Sequence, residues 1–197
     1  MDVPLRPVTL EGRHVRLEPL SPTHVDALAE VGVDPELWRW TLTEIASRAD
    51  AERYVETALA EQRAGTALPF AIVQLTAQRA VGCTRYHNID RVNRRLEIGW
   101  TWVARAWQRT PVNTEAKYLL LTHAFETLGC VRVEFKTDAL NAPSRRALAR
   151  IGAREEGTLR RHQLTRSGRW RDSVYFSILD EEWPDVKRRL EEKLGGG

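Results

Sequence analysis

The chain has little cysteine, little methionine and no long apolar run. Its 197 residues include two cysteines, Cys83 and Cys130, and one methionine. Two cysteines are too few for a disulfide framework or a cysteine-based metal site, so we expect a reducing compartment, the cytoplasm, and no metal. No window approaches the roughly 20 apolar residues of a membrane span, and the first residues lack the apolar core of a signal peptide. The sequence therefore predicts a protein that does not act in a membrane.

A large excess of charge of either sign is also missing. Thirty lysines and arginines stand against 27 acidic residues, which leaves a net charge of +3. Such a balance does not identify a partner. The length suits one domain over residues 1–197 with a sizeable buried core, and we expect the terminal glycines, Gly195 to Gly197, to be disordered.

Alternating and helical hydrophobic patterns succeed one another along the chain. Alternation predicts strands at 13–20, 69–75, 80–86, 95–103, 131–137, 157–164 and 169–179. Helical spacing and capping residues predict helices at 22–31, 47–64, 114–128, 143–150 and 181–194. The strands at 69–103 should form an antiparallel meander, and the last two should form a hairpin. The order is typical of an α/β (α+β) domain with a mostly antiparallel sheet flanked by helices.

The strand at 95–103 carries an acidic residue between apolar neighbours. With regular alternation, one face would hold Leu96, Ile98, Trp100 and Trp102, and the other Glu97, Gly99, Thr101 and Val103. A carboxylate in a partly dry cleft can accept a proton from an amine. Glu97 is therefore a candidate base, although a solvated strand carboxylate paired with Arg95 is the alternative.

A polar loop at 108–113 precedes the helix predicted at 114–128. We expect that helix to begin near Asn113 or Thr114, with one of the two as its cap, so that its first N–H groups point outward. Such an end attracts phosphate, and Arg109 can add a cation. The loop and helix therefore predict a diphosphate-binding site.

These residues resemble the GNAT acetyltransferases, within them the RimJ/RimL-like branch that acetylates ribosomal-protein N-termini. The loop Gln108 to Asn113 fits the length and first residue of the family's Q/R-x-x-G-x-G/A motif, but Pro111 and Asn113 occupy glycine positions. Because Pro111 has no N–H to offer an oxygen, we expect one donor fewer and weaker cofactor binding.

Two further segments carry the resemblance. Glu97 precedes Gln108 by eleven residues, the offset of a general-base glutamate in part of the family. The run from Asn141 to Ala153 resembles the family's N-x-x-S…G-F segment, with Ala153 in place of phenylalanine. The resemblance implies central strands that splay to form an acetyl-CoA cleft.

The resemblance also implies roles for individual residues. The expected reaction is direct transfer of acetyl from acetyl-CoA to a primary amine in a ternary complex, with Glu97 as base. The family's tyrosine acid is replaced by Leu148, so Ser144, an ordered water or no dedicated group protonates the thiolate. Residues expected at the cofactor are Trp102, Val103, Gln108, Arg109, Thr110, Val112, Asn113, Thr114, Asn141 and Ser144. Residues expected at the acceptor are Trp38, Trp40, Tyr86 and His87.

Structural roles compete with several of these assignments. Asn141 suits a helix N-cap, and each acceptor-side aromatic also suits core packing. Cys83 and His87 share a strand face and could form a thiol dyad, but no third orienting group is evident.

The predicted hairpin is rich in arginine. Residues 160–171 interleave five arginines with Trp170, a composition that also suits RNA phosphates or an acidic protein segment. The alternative function is accordingly a catalytically weak CoA-binding, RNA-binding or protein-binding module. For the enzyme, the acceptor is a protein N-terminus or a small-molecule amine, nucleic acid enters only through a ribosomal-protein substrate, and the resemblance suggests a homodimer.

Overall fold

The computed structural model describes residues 5–195, in which eight strands form one sheet and five α-helices flank it. The strands are β1 (Leu10–Glu11), β2 (Val15–Pro19), β3 (Ala67–Gln74), β4 (Arg79–Asp90), β5 (Arg95–Val103), β6 (Arg132–Asp138), β7 (Arg154–Leu164) and β8 (Trp170–Leu179). The helices are α1 (Val25–Gly32), α2 (Arg48–Arg63), α3 (Pro111–Thr122), α4 (Ala142–Arg150) and α5 (Trp183–Gly195). This is the predicted α/β domain with a mostly antiparallel sheet.

Most predicted elements occur within a few residues of their expected bounds. The helix α3 runs into a π-helical turn, His123–Thr127, and ends before Gly129, whose φ of 66° suits glycine. Gly195 is the last residue of α5, and the expected disorder of the terminal glycines stays a prediction. Residues 196 and 197 lie outside the described part, and the single-domain assignment of the whole chain stays a prediction.

Within residues 5–195 the sheet has the order β1-β2-β3-β4-β5-β6-β8-β7, and its one parallel pair is β5 with β6. That pair is short: Arg95, Leu96 and Glu97 face Arg132, Val133 and Glu134, and the pairing ends there. Both strands continue beyond this point, β5 to Val103 and β6 to Asp138. The strands therefore separate after Glu97, which confirms the predicted splay.

Two hydrophobic clusters cover opposite faces of the sheet. On the face that we call the α3 face, Phe135 and Ile98 pack with Val112 and Leu120 of α3. On the other, the α1 face, side chains of α1 and α2 pack on the sheet around Trp102. Each side chain near the splay therefore lies on either the α3 face or the α1 face of the sheet.

The alternation predicted for β5 is wrong beyond Gly99. Trp100 has a φ of 53°, and the register with β4 shifts between Cys83 and Arg85. This β-bulge inserts an extra residue and reverses the facing of the later residues of the strand. Trp102 consequently lies on the α1 face, although Ile98 lies on the α3 face. Trp100 itself is 38% exposed.

The described helices are all too short or too polar to cross a lipid bilayer.

Candidate active site at the splay

The Glu97 carboxylate lies at the point where β5 and β6 separate. Its side chain is only 2% exposed, and it faces His87 across the antiparallel pair of β4 and β5. Asn88 Nδ2 donates a hydrogen bond of 2.8 Å to Oε2. His87 Nε2 lies 3.2 Å from Oε1, and Lys136 Nζ lies 3.6 Å from Oε2. Glu97 is therefore not the solvated strand carboxylate paired with Arg95 that the sequence left open.

These neighbours keep Glu97 charged. Burial by itself would raise the pKa of the carboxyl group, but the His87 ring, the Lys136 ammonium and the Asn88 amide outweigh it and lower the pKa below its ordinary value. Glu97 is consequently a carboxylate at neutral pH, ready to accept a proton. The low pKa makes it a weak base, so positioning has to supply part of its effect.

The absence of a side chain at Gly99 brings His87 to Glu97. A Cβ added to Gly99 would lie 2.4 Å from His87 Nε2 and 3.4 Å from Glu97 Oε1. Real Cβ atoms do not approach a ring nitrogen so closely, so a larger residue would displace the imidazole. Gly99 therefore leaves the space that allows His87 to lie beside the Glu97 carboxylate.

A row of polar side chains continues from Glu97 across β6 and β8. The Lys136 ammonium lies 5.7 Å from the centroid of the Tyr175 ring. Tyr175 in turn meets the His162 ring edge-to-face at 5.9 Å, and His162 Nδ1 lies 3.0 Å from the Ser173 hydroxyl. Lys136, Tyr175 and His162 are all half-buried. The splay thus opens on the α1 face toward a polar surface that can bind an acceptor.

The helix α3 begins two to three residues earlier than predicted. Its N-cap is Thr110, whose hydroxyl accepts from the N–H of Val112 at 3.4 Å and donates to the carbonyl of Trp107 at 2.6 Å. Pro111 is the first helical residue, where its fixed φ suits the helix and its missing N–H would lack an intrahelical partner. The prediction that Asn113 or Thr114 caps this helix is therefore wrong.

The loop before the helix is held by its own side chains. Gln108 Nε2 donates to the carbonyl of Val103 at 3.1 Å, which ties the loop to the end of β5. Arg109 adopts a φ of 61°, a left-handed conformation that is uncommon outside glycine. The helix N-terminus therefore keeps a defined position beside the end of the splayed strand.

The groups at this helix end fit a diphosphate followed by an amide-containing arm. Pro111 has no N–H and the Val112 N–H bonds the Thr110 hydroxyl, so the Asn113 N–H is the first-turn donor left for a ligand. Asn113 Oδ1 is buried without a hydrogen-bond partner among the described residues. An acceptor of this kind suits an amide N–H of a ligand in the cleft.

Asn141 and Ser144 lie at the start of α4, after β6. Asn141 is the N-cap, and its Oδ1 accepts from the Ser144 N–H at 3.1 Å. The structural role suggested for Asn141 is therefore present. Ser144 is half-buried in the first turn, and its roles toward the cofactor stay predictions.

Three aromatic residues proposed for ligand contact have buried side chains. Trp38 and Trp102 are 5% and 6% exposed and pack on each other with ring centroids 5.1 Å apart. The Trp38 indole N–H donates to the Gly32 carbonyl at 2.6 Å. Tyr86 is fully buried and donates to the Leu120 carbonyl at 2.6 Å. Acceptor contact through Trp38 or Tyr86 is not compatible with this burial, and Trp102 retains only its backbone for the cofactor.

Trp40, by contrast, lies near the hairpin of β7 and β8. Arg169 stacks its guanidinium 5.8 Å from the centroid of the Trp40 ring and forms an ion pair with Asp138. Arg166 forms an ion pair with Glu44 in the loop before α2. The hairpin turn therefore meets this loop, and a cavity of about 270 Å³ lies beside their contact.

The dyad of Cys83 and His87 is not formed. Cys83 is buried and burial raises the pKa of its thiol to about 12, so it carries no thiolate at neutral pH. His87 faces Glu97 instead. Within residues 5–195, no cluster of three or more histidine, cysteine or acidic side chains could hold a metal ion.

The sequence patterns did not reveal the partners of Glu97. They gave no sign of Asn88 or Lys136, and they placed His87 at the acceptor rather than at the carboxylate. One signal was available: with regular strands, Glu97 shares a face of β5 with Gly99, and a glycine beside a buried carboxylate leaves room for a neighbour.

Comparison with known proteins agrees with this geometry. Residues 14–154 match the family model described as an acetyltransferase (GNAT) domain. The chain is 33% identical to "Putative ribosomal N-acetyltransferase YdaF" of Bacillus subtilis (strain 168), over 88% of this chain and 96% of that protein.

Two solved structures show the same architecture. One, described as a GCN5-related N-acetyltransferase from Brucella melitensis, is 34% identical, with a TM-score of 0.89 over 96% of this chain and 86% of that one. The other is Mycobacterium smegmatis RimJ in complex with CoA-disulfide, 27% identical, with a TM-score of 0.83 over 96% and 95% of the two chains.

Proposed function

Because the chain belongs to the GNAT acetyltransferase family, we propose that it transfers acetyl from acetyl-CoA to a primary amine at the splay between β5 and β6. The observation that carries the proposal is the buried Glu97 carboxylate at the point where the strands separate. Acetyl-CoA, when bound, supplies the acetyl thioester. The residues of this chain bind it, orient the acceptor and move protons.

The proposed cofactor site extends along β5 to the start of α3. The first-turn N–H group of Asn113, with the Arg109 cation and the Thr114 hydroxyl, binds the diphosphate. The backbone of β5 beyond the bulge and Asn113 Oδ1 provide hydrogen bonds for the pantetheine arm. Replacement of one donor by Pro111 weakens this binding without abolishing it.

Glu97 is the proposed proton acceptor. An amine must lose a proton as it becomes an amide, and a carboxylate held by Asn88, His87 and Lys136 is charged and oriented for that transfer, directly or through one water. The polar row through Tyr175 and His162 provides the surface against which the acceptor lies.

We further propose a protein N-terminus, in particular that of a ribosomal protein, as the acceptor. The support is the ribosomal name of the Bacillus subtilis relative and the similarity to RimJ. This acceptor implies a cytoplasmic site of action. A small-molecule amine is the competing acceptor, and a homodimer is a prediction from the resemblance.

The arginines of the hairpin favour the enzyme over an RNA-binding module. Arg166 and Arg169 are engaged with Glu44 and Asp138, and Arg171 is 7% exposed. Of the five arginines at 160–171, only Arg160 and Arg161 are exposed without such an engagement. Two exposed charges are a small footprint for phosphate binding.

The first experiment is the shift of the thermal midpoint on addition of acetyl-CoA and, separately, of free CoA. A ligand at about 100 times its Kd adds roughly 2.7 kcal/mol of stability, so both should raise the midpoint by several degrees. Mass spectrometry of N-terminal peptides and small amines incubated with acetyl-CoA then identifies the acceptor. No shift at millimolar ligand, combined with salt-sensitive RNA binding, would contradict the proposal.

A further inference from the structure

Lys117 is a buried lysine on α3 that proton transfer to Glu97 does not use. It is 5% exposed, and its ammonium donates a hydrogen bond of 2.6 Å to the hydroxyl of Thr101 on β5. The same ammonium lies 5.9 Å from the centroid of the Phe135 ring on β6. Lys117 therefore reaches toward both strands of the splay.

The ammonium has no acidic partner among the described residues. The acidic neighbour on its own helix, Glu115, points elsewhere and accepts the backbone N–H groups of Arg13, His14 and Val15. Among the described strand residues it meets the Thr101 hydroxyl, itself 2.8 Å from the Thr84 hydroxyl, and the Phe135 ring. Burial alone lowers the pKa of Lys117 to about 7. A buried cation without a counter-ion is costly, which indicates a use for it.

The position of Lys117 relative to Glu97 suggests that use. Phe135, the neighbour of Lys117, and Lys136, the neighbour of Glu97, are successive residues of β6 and so lie on opposite faces of the sheet. Both lie beyond Glu134, the last residue of β6 paired with β5. The carboxylate and the ammonium therefore approach the opening between the strands from opposite faces.

The chain lacks an evident donor at the place where the family resemblance expects one. Leu148 is a buried apolar residue in the first hydrophobic cluster, and it cannot donate a proton. Ser144, the other candidate, has a hydroxyl whose ordinary acidity is far weaker than that of an ammonium. Lys117 is a buried cationic donor beside the splay, on the face opposite Lys136.

Resting on the proposed acetyl transfer, we propose that Lys117 is the general acid that protonates the departing CoA thiolate. The acceptor nitrogen bonds to the acetyl carbon, the carbon–sulfur bond breaks, and its electron pair stays on sulfur. Glu97 takes the proton of the nitrogen, and the Lys117 ammonium gives one to sulfur. Glu97 then returns its proton to solvent and Lys117 regains one, so that the products are an amide and CoA thiol.

The test compares the wild-type chain with Lys117→Met, which keeps the length of the side chain and removes the charge. The first readout is the pKa of the CoA thiol in the binary complex, monitored by the ultraviolet absorbance of the thiolate. Below pH 7, where Lys117 carries its charge, the ammonium should lower that pKa, so the Met variant should hold about a tenfold smaller thiolate fraction at the same pH. Lys187→Met, at a half-buried lysine paired with Glu126 and remote from the splay, is the matched control and should behave as wild type.

The second readout is the rate of acetyl transfer. Loss of a general acid should lower kcat by about 10²-fold or more, and the alkaline limb near pH 7 in the profile of kcat/KM should disappear in Lys117→Met. If the Met variant fails to fold, Lys117→Arg replaces it in the test. The guanidinium keeps the positive charge but does not release a proton, so the thiol pKa should stay low while kcat falls.

An equal thiol pKa in wild type and Lys117→Met, with both binding CoA, would overturn the role of Lys117 and leave the acetyltransferase proposal standing. A wild-type chain that binds no CoA would instead overturn the proposed function and this inference together.

Discussion

Glu97 and Lys117 are both buried charged side chains near the opening between β5 and β6, but their surroundings differ. Glu97 is surrounded by Asn88, His87 and Lys136, and its pKa lies below the ordinary value. Lys117 has one neutral hydroxyl partner, Thr101, and its pKa falls to about 7. The α1 face therefore stabilises the charged form of its residue, whereas the α3 face destabilises it.

Under the proposed mechanism, these surroundings allow one cleft to hold a proton acceptor and a proton donor at the same pH. A carboxylate that stays ionised can receive a proton, and an ammonium with a lowered pKa gives one up readily. Burial is common to both, so the neighbours decide the protonation state.

Replacing Glu97 should have the largest effect. Glu97→Gln keeps the shape but cannot accept a proton, so kcat should fall by about 10²- to 10⁴-fold while acetyl-CoA still raises the thermal midpoint. The acid limb of the pH–rate profile, set by a carboxyl pKa below its ordinary value, should disappear. Glu134→Gln is the matched control, because Glu134 is the buried register partner of Glu97 and pairs with Arg95 and Arg132. An unchanged pH profile in Glu97→Gln would exclude its role as base.

Removing the Lys117 charge should raise stability in a pH-dependent way. The folded pKa of about 7 lies below the unfolded lysine value of about 10.4, so the unfolded chain binds more protons between these values and wild-type stability rises with pH across that window. Lys117→Met should be more stable than wild type by a few kcal/mol near pH 7, and the advantage should shrink toward pH 10. Urea unfolding of both chains across this range measures it, and a constant difference would contradict the lowered pKa.

Filling the space at Gly99 should change the surroundings of Glu97 while leaving the Glu97 side chain itself unaltered. In Gly99→Ala the new Cβ would displace the His87 ring, so stability should fall by about 1–3 kcal/mol. The carboxyl pKa should rise as one stabilising neighbour leaves, which moves the acid limb of the rate profile to higher pH. His87→Gln removes the imidazole without crowding and should move the acid limb of the rate profile in the same direction. If the acid limb stays in place in both variants, His87 does not lower the pKa of Glu97.

The smallest effect is expected at the cap of α3. Thr110→Ala removes the hydroxyl that bonds Val112 and Trp107, which should cost about 1 kcal/mol of stability and weaken CoA binding. Ser47→Ala, at the N-cap of α2, should cost a similar amount and leave CoA affinity unchanged. Equal CoA affinity in wild type and both variants, measured by titration calorimetry, would show that the Thr110 cap does not contribute to CoA binding.

The order of elements could be predicted because local patterns carry it. Alternation marked β3, β4 and β5, and Gly129 marked the end of the helix before β6, since a residue with positive φ stops a helix wherever it lies. The start of α3 was misplaced because Thr110 and Asn113 are both good caps, and the local sequence alone does not choose between them.

The site could be predicted only in part, because its residues come from separate strands. Glu97 is predicted by its apolar neighbours on β5 and by the family resemblance, but the bulge at Trp100 reverses the facing of Trp102, and no periodicity reveals an extra residue in a strand. The sequence pattern does not distinguish Lys117 from other lysines, because a lysine in a helix is usually exposed.

The sequence by itself determined the elements and their order, the loop before α3 and the acidic residue on β5, since each depends on residues adjacent in the chain. The tertiary structure alone decided where β5 and β6 separate, that Gly99 admits His87 to Glu97, and that Lys117 is buried on the opposite face. Protonation depends on burial and on neighbours far apart in the chain, so the chemistry of the cleft is set only when the sheet forms.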